Sequence, residues 1–547
     1  MKKRYYIKTA LAIFMCLLIA GCSINEKVEN DEQENVIVNN SENPTVLNLG
    51  IDSIDTFNPL FTSSSSVFDA MQLIFEPLFS FDDTLNPICE LADSYTVSED
   101  RKSLTIKIKQ NIKWHDGSDF NAVDVLHTIN LIRYNETNYT SLLSCISAAS
   151  CPDNYTLSVT FSRAVPNPEA ILSFPVVQNS VTTENLADYI PIGTGPYKYY
   201  EKSTSNKIRL TVNEMWRENI PSIAEIDLNI LKNKEESASA FNASETDIIT
   251  SKTMDLKSNT PRGEISVQDY VSDNMVFLGI NNAESVFTGV NTRKAISYLI
   301  DKESIVTNEL FSRAVVAKST INPSAWYCPD IPNAGYDADY IREILALDGW
   351  SQNENGNFIR DKIVGEQESE NPETISEKLK CDILVNDDNE ERYRIAQRIG
   401  DALNGFGIEC SIILVSFEDY SQRIADKQYQ LFIGEIKMPS NMDPYDLLVS
   451  ENYFSYYTQQ MHEAIYRLGT YTTSEEEKNA FTQYANLFNE EVPFVPLFFR
   501  KESVIFENRI SGTSKPNMFA SYTEPQNWYF TVKNNNTIQE ESVDGNI

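Results

Sequence analysis

Between Cys381 and Val415 the chain gives a strand signal, a helix signal and a second strand signal in close succession, and no other feature narrows its fold as far. Cys381 to Val385 is a short apolar run, and Glu390 to Leu403 sets Tyr393, Ala396, Ile399 and Leu403 on one helical face. Gly405 and Gly407 punctuate the exit before Ile408 to Val415, which returns to strand composition. A strand, a helix and a strand at this spacing form a crossover unit, so the two strands are expected to run parallel with a right-handed connection. The fold class is therefore expected to be α/β. Gln428 to Gly434 reads as a further strand, and Leu104 to Lys109 alternates apolar and polar residues as a half-buried strand does. Trp114 to Gly117 reads as a reversal, after which Asn121 can cap a helix carrying Ala122, Val125, Leu126, Ile129 and Ile132 at helical spacing. The acidic stretch 365–372 reads as a surface insertion, and no internal repeat is evident.

The N-terminus obeys a different logic. Lys2, Lys3, Arg4 and Lys8 precede an apolar run, Ala10 to Ala20, that is too short to span a bilayer. Ile19 to Cys22 (IAGC) places small residues before a cysteine and resembles the lipobox of bacterial lipoproteins. The resemblance implies a signal peptide over residues 1–21 and lipidation of Cys22. Two acyl chains would hold the protein to a membrane where one holds marginally, because each buried CH₂ adds about 0.8 kcal/mol. Residues 22–44 are polar, acidic and poor in large apolar side chains, so they are expected to be a disordered tether; residues 533–547 read as a polar tail.

Of the 547 residues, 41% are hydrophobic and 11% aromatic, which suits a globular body with substantial cores. Removal of Lys2, Lys3, Arg4 and Lys8 with the signal takes the formal charge of −34 to −38. Nucleic acid is therefore not an expected partner, since phosphate binding depends on clustered Lys and Arg. Once Cys16 leaves with the signal and Cys22 is lipidated, Cys89, Cys145, Cys151, Cys328, Cys381 and Cys410 remain, too few for a disulfide scaffold. Cys145 and Cys151 are close enough in sequence to close a small loop, and both the bridged and the free state are open. The absence of a C-x-x-C pair speaks against a metal site, and no cofactor is expected.

Enzyme signatures fail one by one. Ser272 to Asn274 matches the S-D-N element of β-lactamases, yet S-x-x-K and K-T-G are missing, so a nucleophile with its activator is lacking. His462 and Glu463 open like H-E-x-x-H, but Tyr466 stands at the second ligand position. His115, His127 and His462 are the chain's three histidines; His115 is expected on a surface turn and His127 on the polar side of its helix. Neither a Walker A loop nor G-x-G-x-x-G occurs.

A string of motifs then resembles the family 5 extracellular solute-binding proteins, which include the oligopeptide- and dipeptide-binding proteins of bacterial ABC importers. The pieces are Thr56 to Leu60 (TFNPL), Phe75 to Leu78 (FEPL), Leu91 to Ser94 (LADS), Val97 to Asp100 (VSED), Ile112 to Gly117 (IKWHDG) and Ala122 to Val125 (AVDV). They continue through Pro191 to Tyr197 (PIGTGPY), Asn213 to Trp216 (NEMW), Leu278 to Asn281 (LGIN), Arg293 to Asp301 (RKAISYLID), Leu345 to Trp350 (LALDGW) and Val492 to Leu497 (VPFVPL). Each alone is weak; their order and spacing carry the resemblance, from about Leu47 to Phe530.

The resemblance implies a bilobal, periplasmic-binding-protein-like fold with two hinge-linked lobes and an extra subdomain. The first lobe would comprise residues 45–76, 189–280 and 496–532, with the extra subdomain at 77–188; the second lobe would be 281–495. Such a protein would close on its ligand, a peptide, and deliver it to an ABC transporter permease. It would work as a monomer on the outer face of the bacterial cytoplasmic membrane, without enzymatic activity. A receptor for a peptide signal on the same fold, and a binding protein for a non-peptide solute such as a nickel chelate, are the alternatives.

Family members also suggest where the ligand lies. Ser64, Ser65 and Ser66 fall where relatives offer backbone and hydroxyl groups, and Trp326 and Tyr327 could supply aromatic faces. Many peptide-binding members carry an aspartate shortly before an Asp-Pro pair to neutralise the peptide's ammonium group; here Ser440 has that spacing from Asp443 and Pro444. Glu435 is the expected substitute, flanked by Ile436 and Lys437, with Asp443 second. The competing expectation is that Glu435 merely pairs with Lys437 across a solvated loop.

Overall fold

Two long strands run from one lobe of the molecule to the other and hold both in a single sheet. In the computed structural model, residues 46–204, 206–251, 264–332, 335–364 and 373–531 are described. The first lobe contains β1 (Val46–Ile51), α1 (Ser65–Met71), β2 (Ala92–Val97), β3 (Ser103–Ile108), α2 (Ala122–Tyr134), β4 (Ile146–Asp153) and β5 (Thr156–Phe161). It continues through β6 (Tyr197–Thr204), β7 (Lys207–Val212), β8 (Glu225–Ile230) and β9 (Ile248–Ser251), and β10 (Ile265–Ile280) crosses over. The second lobe holds β11 (Lys380–Asn386), α3 (Glu390–Phe406), β12 (Glu409–Val415), β13 (Leu431–Lys437) and α4 (Ser474–Glu491), and β14 (Val495–Glu507) crosses back.

The large sheet has the order β12-β11-β13-β10-β14-β9-β1-β8-β7-β6, with Ala314–Val316 also paired to β14. A separate sheet, β2-β3-β5-β4, packs under α2. β10 and β14 pair antiparallel in two blocks, Ile265–Val271 with Lys501–Glu507 and Met275–Leu278 with Val495–Phe499. The register shifts between the blocks, so residues 272–274 bulge from the ladder where one lobe gives way to the other. Met275 to Ile280 is buried on both faces, with Val276, Leu278 and Ile280 in one second-lobe core and Met275 and Phe277 in the other, as in the interior strand of a covered sheet.

One core joins β1 to the small sheet and to Val504, Phe506 and Trp528; two further cores fill the second lobe, and Leu85 reaches from the first lobe into one of them. The long-range motifs are joints within this frame. Arg293 donates to the carbonyls of Glu491 (2.7 Å) and Val492 (3.0 Å), while Trp350 donates to Thr292 (2.9 Å), tying three distant motifs together.

The crossover unit is as expected: β11 and β12 pair parallel, Asn389 caps α3, and Gly407 ends it at φ +101°, a conformation glycine adopts without strain. α2 begins at the Asn121 cap, with the Asp124 side chain completing a capping box. β13 spans Leu431–Lys437, later than the Gln428–Gly434 expected, because pairing with β10 draws Glu435 to Lys437 into the ladder. His115 sits in the expected turn, closed by the Gly117 amide on the Trp114 carbonyl (2.8 Å), but its ring is half-buried: it bonds the Gly193 amide (3.3 Å) and the Gly195 carbonyl (3.0 Å), and burial lowers its pKa to about 4. His127 likewise packs inward, with Nε2 2.7 Å from the Val181 carbonyl. Cys145 and Cys151 are free, their sulfurs directed to the carbonyls of Leu142 and Ala122. Cys22, the tether, the acidic stretch 365–372 and the tail 533–547 lie outside the described residues.

Candidate ligand-binding cleft

The cleft is built where β10 and β14 leave the first lobe. Within the bulge the Ser272 hydroxyl donates to the Arg500 carbonyl (3.1 Å), and Asn322 donates to the Ser272 carbonyl (2.9 Å). Asp273, at the centre of the bulge, accepts from the Met438 amide through its carbonyl (2.9 Å), and its carboxylate lies 3.5 Å from the Lys437 ammonium. Lys437 is 74% exposed whereas Asp273 is 14% exposed, so the carboxylate is desolvated and its partner is not. Burial raises Asp273 to about 6; Lys437 pulls it down and the nearby Glu502 pushes it further up.

Glu435 is committed elsewhere. On β13 it takes a bidentate pair from Arg500, 2.6 Å from Nε and 3.0 Å from Nη2, and Arg500 also donates to Glu391 at the start of α3 (2.7 Å). Arg392 lies 3.8 Å from the same carboxylate. The expected pairing with Lys437 across a loop is thus replaced by a strand-borne network, because Glu435 and Lys437 both sit in β13 and Lys437 turns to Asp273. Ile436, between them, is partly buried against a second-lobe core.

Asp443 is 6% exposed and pairs with Arg163 of the first lobe at 2.5 Å, with the Arg163 guanidinium 3.9 Å from the Tyr445 ring centre. Burial raises its pKa although Arg163 opposes the shift. Ser440 donates to the Ala170 carbonyl (2.8 Å), Asn441 to the Pro166 carbonyl (3.1 Å) and Asn167 to the Asn441 carbonyl (3.2 Å). The loop expected to hold a ligand's ammonium therefore closes directly on the first lobe.

Ser64 caps α1, accepting from the Val67 amide (3.4 Å), and Ser66 exchanges bonds with Asp52, so these hydroxyls serve their own turn; Ser65 is exposed. Tyr327 is 3% exposed and stacks on Phe481 at 4.3 Å, which makes it a core residue of the second lobe, not a face presented to ligand. Trp326 is half-buried at the lobe boundary, where its amide donates to the Thr84 carbonyl (2.9 Å). Asp273, Arg163 and Arg500 carry no binding signal in the sequence, where Ser272 to Asn274 reads only as an incomplete catalytic motif.

A cavity of about 200 Å³ is lined by Leu85, Tyr270, Val271, Lys501 and Met518 of the first lobe, with Ser324 of the second at its border. That is below the roughly 300–1,000 Å³ usual for small-molecule sites. A second cavity, about 710 Å³, lies within the first lobe and is walled by Phe68, Phe75, Phe79, Trp216, Phe519 and Tyr522. Among the described residues no group of three or more His, Cys, Asp or Glu side chains is placed to hold a metal, and no helix is long and apolar enough to cross a membrane.

Two lobes joined by a pair of crossing strands and meeting again through side chains are the architecture of a hinged two-lobed binding protein. The sequence profile of the bacterial extracellular solute-binding proteins, family 5 (middle region), matches residues 86–455, and the chain belongs to that family, whose members serve ABC importers. It is similar to the oligopeptide-binding protein AppA of Bacillus subtilis, 20% identical over 538 residues that cover 94% of this chain and 96% of the relative. The structure of AppA with a nonapeptide superposes with a TM-score of 0.61 at 19% identity, covering 89% of this chain and 99% of the other. HbpA2 of Haemophilus parasuis gives 0.74 at 17% identity (89% and 100%), and NikZ of Campylobacter jejuni, solved with Ni(L-His), gives 0.63 at 18% (88% and 99%).

Proposed function

We propose that this protein captures a peptide outside the cell by closure of its lobes and hands it to an ABC permease, while a lipid on Cys22 tethers it as a monomer to the outer face of the cytoplasmic membrane. The observation that carries the reading is the bulged junction of β10 and β14, a hinge at which Asp273 and Arg500 pair with Lys437 and Glu435 of the second lobe. The similarity to AppA, whose structure holds a nonapeptide, favours a peptide as the solute. In this reading the first lobe is 45–76, 189–280 and 496–532 with the subdomain 77–188, and the second lobe is 281–495.

Asp273 is the carboxylate we assign to a ligand's ammonium group. Glu435 is neutralised by Arg500 and Asp443 by Arg163, whereas the partner of Asp273 is an exposed lysine that a ligand can push aside. A ligand ammonium would draw the Asp273 carboxylate back to its ionised form. The test is native mass spectrometry of co-purifying solute, followed by calorimetry with the peptides identified. Peptides bound with compaction of the molecule are expected; protein that carries and binds none overturns the reading.

A further inference from the structure

Where the lobes touch, each contributes a carboxyl group. Glu169 lies on the short helix Pro168–Ile171 that follows β5, and Glu477 lies in the opening turns of α4. The contact around them is close at the level of the backbone: a Cβ on Gly469 would stand 2.5 Å from the Ala164 carbonyl carbon. Arg101 donates to the Gly469 carbonyl (3.3 Å), and its guanidinium lies 4.5 Å from the Tyr471 ring centre. The Tyr471 hydroxyl accepts from the Asn167 amide (3.0 Å) and donates to Asn167 Oδ1 (3.2 Å).

Glu477 is 6% exposed, and its Oε1 has no hydrogen-bond donor among the described residues. Tyr471 and Tyr327 face it from its own lobe, and Glu169, Tyr95 and Arg101 from the other. This set holds two carboxyls, three phenols and one cation. Tyr95 hydrogen-bonds Glu169 and Tyr471 hydrogen-bonds Glu477, but Arg101 can balance only one carboxylate, and a second enclosed charge with no cation would be unfavourable. A protonated carboxyl removes the cost.

We propose that closure of the lobes is linked to a proton: the interface that encloses Glu169 and Glu477 forms fully only when the two carboxyls together take up one proton, so acidity outside the cell favours the closed form. Burial pushes Glu477 up to about 7, with Glu169 adding to the rise while Tyr471 and Arg101 oppose it; burial raises Glu169 as well. With the lobes apart, both groups reach water and return to the ordinary carboxylate range. The closed form then holds more protons between about 4.5 and about 7, so closure strengthens as pH falls through that window and weakens as it rises. The inference rests on lobe closure and not on the identity of the solute.

Small-angle scattering of the solute-free mature protein at about pH 5.5 and about pH 8 tests it. The closed-to-open ratio should change by up to about tenfold per pH unit within the window, seen as a smaller radius of gyration at the acidic value. Glu477→Gln, which keeps the shape and removes the charge, should be compact at both values, and Glu169→Gln should flatten the response in the same direction. Circular dichroism confirms that each variant is folded. A wild-type radius that ignores pH overturns the proposal, and so does a full wild-type response in both variants. Since no ligand is added, neither result depends on the solute being a peptide.

Discussion

Arg163 and Asp443, 280 residues apart in the chain, meet as an enclosed ion pair between the lobes, with Tyr445 stacked beneath the guanidinium. Breaking a buried pair from one side costs about 3–5 kcal/mol, because the remaining charge is left uncompensated. That cost falls on the closed form alone, since Asp443 reaches water once the lobes separate. Arg163→Ala should therefore shift the molecule toward open, with a larger radius of gyration, and adding Asp443→Asn should restore part of the compaction. An unchanged radius in the single variant would show that the pair does not hold the lobes together.

Gly469 tests the same interface through shape. An added methyl would meet the Ala164 carbonyl at 2.5–2.6 Å, backbone against backbone, with no flexible side chain to yield. Gly469→Ala should raise amide hydrogen exchange across residues 163–171 and 438–445 while the exchange of β10 to β14 inside each lobe stays as it was. Unaltered exchange at the contact would mean that the lobes tolerate the methyl by a small shift.

Asp273 and Glu435 should respond differently to neutralisation. Asp273→Asn is expected to weaken a free-amine peptide by about 2 kcal/mol or more and an N-acetylated peptide by much less. Glu435→Gln strips Arg500 of its bidentate partner and leaves Glu391, so it should lower stability by about 1–3 kcal/mol without discriminating between the two peptides. Calorimetry with the matched peptides and a urea titration separate the two; amine-selective loss in Glu435→Gln would reverse the assignment.

Cys22 carries the membrane prediction. Cys22→Ala should release the protein from the membrane fraction, because it removes the two acyl chains whose buried CH₂ groups add about 0.8 kcal/mol each. Retention after high-salt washing would exclude lipid anchoring at this residue.

The serine run predicts a pH effect on stability. Burial acts to raise Asp55, but hydrogen bonds from Ser63, Thr62 and Thr56 prevail and hold it at about 2. A depressed folded pKa stabilises the protein above the unfolded value near 4, and that contribution is lost as pH falls through about 2. Because Asp55 is exposed, the effect of Asp55→Asn at neutral pH should stay within about 1 kcal/mol and vanish by about pH 2. A denaturation series showing the same difference at both ends would refute this.

The sequence alone determined the local elements, since a cap or a periodicity depends on residues a few positions apart. Asn121 announces α2, Gly407 ends α3, and the spacing from Cys381 to Val415 dictates a parallel crossover that β11 and β12 make. The motif order was legible too, and it carried the bilobal fold. Tertiary structure decided which charges are spent: Glu435 is claimed by Arg500 from 65 residues away and Asp443 by Arg163 from 280 away. It also turned Tyr327 into core and extended β13 through residues whose polarity signals a loop. A carboxylate's availability depends on which cation lies within about 4 Å and how much water reaches it. Both are set by strand register and lobe contact, to which spacing along one chain is blind.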